Sequence, residues 1–207
     1  MIQAQYAIAI HTSSPDLGLA ISDFDQDSRQ QVWNLGRDLS GYLHTELTSF
    51  LKPQTWIDLT FMAVAIGPGG YTGTRIGVVA ARTIAQQLNI PLFGVSSLAA
   101  IARSAASETE QSIAVQMPAQ RGELYGAIYR VTQNATQTLL PDAVMTPAAW
   151  QQTLETRQTP DKLIIAEPNQ GRFVAEILAI AAQEWQKGQR PHWSAVLPFY
   201  GQHPVEL

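Results

Sequence analysis

The sequence predicts an α/β protein of two similar halves, each of roughly 100 residues. Three observations lead there. The apolar run Phe61-Met62-Ala63-Val64-Ala65-Ile66 leads into a glycine-rich turn, and a helical pattern follows as far as Leu88. Short apolar runs of strand length alternate with helix-spaced segments on both sides of that unit. A polar stretch from Ser104 to Gln111 then interrupts the pattern. It sets an N-terminal subdomain over residues 1–103 against a smaller, divergent one over residues 104–207.

In chain order, Tyr6–Ile10, Gly18–Ser22 and Gln31–Asn34 read as three strands joined closely enough to form an antiparallel meander. Leu39, Leu43, Leu47, Phe50 and Leu51 recur at helical spacing, with Asp38 or Ser40 as the expected cap and Pro53 as the stop. After the Phe61–Ile66 strand a helix is expected over Thr74–Leu88, then a strand over Pro91–Val95 and a short helix capped by Ser96 or Ser97. In the second half, Ile113–Met117 and Leu124–Val131 read as a strand pair. Pro147–Leu154 reads as a helix, Leu163–Ala166 as a strand and Gly171–Gln186 as the last helix. The tail from Pro191 to Leu207 is proline-rich and reads as irregular.

Composition narrows the function classes. A chain of 207 residues with 45% hydrophobic residues can bury a real core. Its net charge of −4 gives no basic footprint for nucleic acid, so any role near RNA is expected to run through a partner. Without cysteine there is no disulfide, thiolate metal site or cysteine nucleophile. No segment approaches the roughly 18 apolar residues of a membrane span. Met1–Tyr6 lacks the basic and apolar regions of a secretory signal, so a soluble cytoplasmic protein is the expectation.

Residues 66–77, Ile-Gly-Pro-Gly-Gly-Tyr-Thr-Gly-Thr-Arg-Ile-Gly, carry the strongest signal. A glycine turn before a helix N-terminus can hold a phosphate. The segment has no lysine, which a P-loop requires, and its glycines are spaced G-x-G-x-x-x-G rather than G-x-G-x-x-G. Thr12, Gly67, Gly69 and Gly70 are the candidate nucleotide contacts; a tight turn with close helix–strand approach accounts for the glycines equally well. His11 reads as a hydrogen-bonded structural histidine or a base, and no metal-ligand spacing is visible. Arg75 reads as a carboxylate-binding or a solvated cation, and Gly122-Glu123 as a hairpin turn.

The wording goes further. Gly67–Gly77 resembles the G-P-G-S-F-T-G-[LV]-R-[IV]-G motif of the TsaB (YeaZ) family. Ala9–Ser13, Gly94–Leu98 and Arg121–Tyr125 resemble that family's I-D-T-[SA], G-V-S-[ST]-L and x-G-E-[VL]-Y in order and spacing. The likeness implies the actin-like ATPase (ribonuclease H-like) fold. It also implies a role in making threonylcarbamoyladenosine beside the tRNA anticodon. Its members look like inactive paralogues of the transferase TsaD that bind and stabilise it and help recruit the ATPase TsaE. They also self-associate when TsaD is absent and touch tRNA only indirectly, and ATP or ADP could sit at the partner interface. The chain departs from the family at His11 and Pro118, each in place of an aspartate. It also departs at Asp38-Leu39-Ser40, where a histidine is lost, and at Glu167-Pro168-Asn169, where glycines are usual. No catalytic residue is therefore expected.

Gly73, Gly77 and Ala81 recur every four residues, and Ile76, Val79, Ala80, Thr83 and Ile84 supply apolar cover. With Arg75 and with Leu39, Leu43 and Leu47 of the preceding helix, these are the expected partner-binding residues, in line with the resemblance. The rival reading is an ATP-dependent kinase or ATPase of the same fold. A metalloprotease is excluded for want of H-E-x-x-H.

Overall fold

The computed structural model describes residues 6–157 and 162–201; the last six residues of the proline-rich tail lie outside them. The first sheet contains β1 (Tyr6–His11), β2 (Asp16–Ser22), β3 (Ser28–Asn34), β4 (Leu59–Ala65) and β5 (Leu92–Val95) in the order β3-β2-β1-β4-β5. The first three strands form the expected antiparallel meander, and β4 and β5 run parallel to β1. This is the arrangement of the actin-like ATPase fold.

The inner strands are covered on both faces, and their alternation separates large side chains from small ones. Ile8, Ile10, Met62 and Val64 face the helices α1 (Leu39–Leu51) and α2 (Tyr71–Leu88). Ala7, Ala9, Ala63 and Ala65 face the last helix, α5 (Val174–Gln186), which the small side chains admit close to the strands. Phe61 stacks on Trp185 of α5 at 4.9 Å between ring centroids.

The second sheet runs β8-β7-β6-β9, from β6 (Gln111–Pro118), β7 (Leu124–Thr132), β8 (Ala135–Met145) and β9 (Lys162–Ile165). On one face it carries α3 (Ser97–Ser104), which also packs against α5. The other face carries α4 (Pro147–Thr156) through Trp150. The chain thus returns at its last helix to the sheet it began with, and α3 and α5 form the layer between the two sheets.

Several expectations need correction. The long strand β8 is absent from the sequence reading because Pro141 interrupts its pattern. Proline is tolerated because β8 is an edge strand whose pairing with β7 is irregular. Asp38 rather than Ser40 stands at the N-cap position of α1, at the end of a short 3-10 turn over Gly36–Asp38, and it makes no side-chain cap bond there. Ser96 does cap α3, accepting from the backbone N–H groups of Leu98 and Ala99. Helix α2 starts at Tyr71 rather than Thr74, so the glycine turn is only Gly67–Gly70. Among the described residues no helix is long and apolar enough to cross a membrane.

Candidate partner groove and inter-sheet cleft

The glycines of the signature segment are taken up by close packing. The Gly70 N–H donates to the Ser13 carbonyl at 2.7 Å, and the Thr12 hydroxyl donates to the Gly73 carbonyl at 2.9 Å. A Cβ on Gly69 would lie 2.1 Å from the Ser13 carbonyl oxygen, one on Gly73 2.2 Å from the Thr12 carbonyl oxygen, and one on Gly77 2.0 Å from Thr12 Oγ1. Glycine is therefore required for α2 to lie on the turn after β1. The stripe Gly73-Gly77-Ala81 points inward: Gly77 and Ala81 are buried and Gly73 is half-buried. The sequence reading placed these three on a partner surface, and the structure sets them against the protein's own core. Small residues four apart signal a close approach without saying what approaches.

On the outer side of α2 lies an apolar groove of about 490 Å³, shared with α1. Of the expected partner-binding residues, Leu43, Arg75, Ile76, Ala80 and Ile84 line it. Leu39 and Gly73 line the neighbouring cleft instead, and Leu47 is buried in the core. Val79 and Thr83, expected as apolar cover on this helix, also line the groove. Tyr71 lines it too; because it follows the glycines it reads as loop in the sequence. The Arg75 guanidinium lies 5.9 Å from the centroid of the Tyr71 ring and reaches its hydroxyl at 3.4 Å, so it is held by an aromatic neighbour.

Groove and cleft share Ser40, Tyr71, Thr72 and Ile76. The cleft holds about 980 Å³ between the sheets. One wall carries Ser13, Ser14, Arg37, Gly69 and Gly70, the other Met117, Pro118, Gln120, Glu167, Pro168 and Gln170. Of the four candidate nucleotide contacts only Gly69 and Gly70 line it. Thr12 is fully buried and its hydroxyl is spent on Gly73, and Gly67 is buried beside Phe199. The Phe199 N–H donates to the Ile66 carbonyl, and Tyr200 packs on Tyr71 at 4.9 Å, so the tail closes over this corner.

Two buried cleft atoms, Ser13 Oγ and Gln170 Oε1, have no hydrogen-bond partner among the described residues. Beneath the site His11 is fully buried with both ring nitrogens unpartnered, which corrects the expectation of a hydrogen-bonded histidine. Burial pushes its imidazole down to about 4, so the ring is neutral at pH 7. Ser13, Gln170, Arg37 and the start of α2 suit an anionic or polar ligand. A magnesium-dependent phosphate centre takes one or two protein carboxylates beside phosphate and water oxygens, and among the described residues Glu167 is the carboxylate that lines the cleft. No group of three His, Cys, Asp or Glu side chains able to hold a metal occurs among the described residues. Pro118 and Glu167-Pro168, two of the departures from the motif pattern, both lie on the second wall. Gly122 and Glu123 form the expected hairpin turn, with the Glu123 N–H donating to the Gln120 carbonyl at 3.1 Å.

Known proteins share these features. The family model described as "TsaD: tRNA N6-adenosine threonylcarbamoyltransferase" matches residues 52–181. The tRNA threonylcarbamoyladenosine biosynthesis protein TsaB of Bacillus subtilis is 32% identical over 158 residues, which cover 74% of this chain and 67% of that protein. Its Escherichia coli counterpart is 33% identical over 78 residues, covering 37% of this chain and 34% of its own. The structure of YeaZ from Pseudomonas aeruginosa superposes with a TM-score of 0.77 at 21% identity, over 94% of this chain and all of that one. The glycine signature packed on the turn after β1, the fold around it and these relatives agree: the chain belongs to the TsaB (YeaZ) family.

Proposed function

We propose that this chain serves tRNA threonylcarbamoyladenosine biosynthesis as a non-catalytic subunit, docking a TsaD-like transferase on the face formed by α1 and α2. The observation that carries the reading is the open apolar groove beside a cleft poor in carboxylates. Exposed Tyr71 and Val79 in the wall of that groove contribute to a patch of the kind that marks protein interfaces. Arg75 adds a cation already oriented by Tyr71.

The mechanism is linkage. A subunit that binds the competent conformation of the transferase raises its population and its stability. The same apolar face would pair two copies of this chain in the absence of the transferase, and a TsaE-like ATPase would join the assembled pair. Contact with tRNA would come through the transferase, and ATP or ADP would meet the cleft only at the assembled interface. The rival ATPase reading requires Mg²⁺-dependent turnover by the isolated chain, for which the cleft offers Glu167 alone among carboxylates.

Val79→Arg tests the docking face, because Val79 is 56% exposed and its change leaves the core alone. In size-exclusion chromatography with the purified transferase the variant is expected to elute separately with an unchanged melting temperature. Co-elution as in the wild type would overturn the docking face.

A further inference from the structure

A recess of about 310 Å³ shares no lining residue with the groove or the cleft. It lies where β5 and the start of α3 meet β7, β8 and α5. Its polar side is a hydrogen-bonded relay. Ser96 Oγ accepts the Leu98 and Ala99 N–H groups and lies 3.2 Å from the Tyr129 hydroxyl oxygen. The Tyr129 hydroxyl in turn donates to Asp142 Oδ1 at 2.5 Å.

The relay ends on a carboxylate that burial pushes above its ordinary range. Among the described residues no Lys, Arg or His lines the recess to compensate it. Beside it Thr136 Oγ1 is buried without a hydrogen-bond partner among the described residues. The remaining wall combines the apolar Phe93, Pro141 and Ile180 with Thr138 and with Glu184, whose carboxylate pairs with Lys187 at 2.7 Å.

Chemistry restricts the occupant. A half-buried carboxylate such as Asp142 without a counter-charge is costly, and a cationic donor offsets that cost. The volume falls at the low end for small-molecule pockets and far exceeds the roughly 30 Å³ of one water. A bare alkali ion would leave the apolar walls unfilled, an anion would be repelled, and a neutral alcohol would leave Asp142 uncompensated. We propose that the recess binds a small aliphatic primary amine as its ammonium ion. The ammonium group pairs with Asp142 and donates a second N–H to Thr136, and the alkyl chain lies against Phe93, Pro141 and Ile180. The site is independent of the docking face.

Isothermal titration of the full chain at neutral pH with butylammonium chloride tests it, with 1-butanol and potassium chloride as comparison titrants. Saturable one-to-one binding of butylammonium is expected, weakened at least about tenfold by Asp142→Asn and about threefold by Thr136→Val. Absence of saturable heat, equal binding of 1-butanol, saturable binding of potassium chloride or undiminished affinity in Asp142→Asn would each overturn the proposal. Should Asp142→Asn fail to fold, Thr136→Val and the amine–alcohol comparison decide it.

Discussion

The groove between α1 and α2 and the cleft between the sheets touch along Ser40, Tyr71, Thr72 and Ile76, but they are built from different chemistry. The groove is apolar and open. The cleft is polar, with Ser13 Oγ and Gln170 Oε1 buried and without a hydrogen-bond partner among the described residues. The contrast is one of chemistry: the apolar face suits contact with another protein, and the polar floor suits a hydrogen-bonding ligand.

The sharpest way to break this comparison is on α2 itself, whose two faces should respond differently to one kind of change. Gly77→Arg forces a side chain where even a Cβ would lie 2.0 Å from Thr12 Oγ1. It is expected to cost about 3 kcal/mol or more in urea titration, or to prevent folding. A stable Gly77→Arg protein would mean that α2 can shift and that its inward face is not fixed.

The polar floor is next. The folded value of about 4 for His11 lies below the ordinary 6.5, so on acidification the unfolded chain takes up the proton first. The neutral ring's contribution is complete above about pH 6.5 and declines towards pH 4, by roughly 3 kcal/mol in all. Thermal melts of the wild type and His11→Leu across this window are expected to diverge, with the steeper loss in the wild type. Parallel curves would show that His11 stays charged or reaches solvent.

The groove should yield a smaller effect, confined to binding. Val79→Arg is expected to weaken the transferase complex at least about tenfold, or roughly 1.4 kcal/mol, while changing stability by under about 0.5 kcal/mol. Fluorescence-detected titration against the partner would measure it. The smallest shift belongs to Ser13→Ala, which removes an unpaired buried hydroxyl. It is expected to raise stability by up to about 1 kcal/mol. A loss of stability instead, measured by chemical denaturation, would show that Ser13 already has an ordered partner.

Much of the first sheet was legible in the sequence because its strands and helices carry clean periodicities and Ser96 an effective cap. The position of α5 was not: its apolar stripe declares a buried face, and only the alanines at 7, 9, 63 and 65 hint at which sheet receives it. The start of α2 was hidden because Tyr71, Thr72 and Gly73 follow glycines and read as loop. Of the site, Leu43, Arg75, Ile76, Ala80 and Ile84 were legible as one groove wall. The orientation of Gly77 and Ala81 was not, since spacing alone gives no direction. Nor could spacing reveal that His11 is enclosed without a partner, which depends on every neighbour at once.

The contacts between Thr12 and the glycines of α2 also have a mechanical consequence. With Gly73 and Gly77 seated directly on the Thr12 side chain and carbonyl, no compressible layer separates the helix from the strand end beneath it. Such a joint transmits displacement rather than absorbing it. A load applied to the outer side of α2 would therefore be felt at Ser13, the next residue along and part of the cleft wall. The groove and the cleft are in this sense the two ends of one stiff lever.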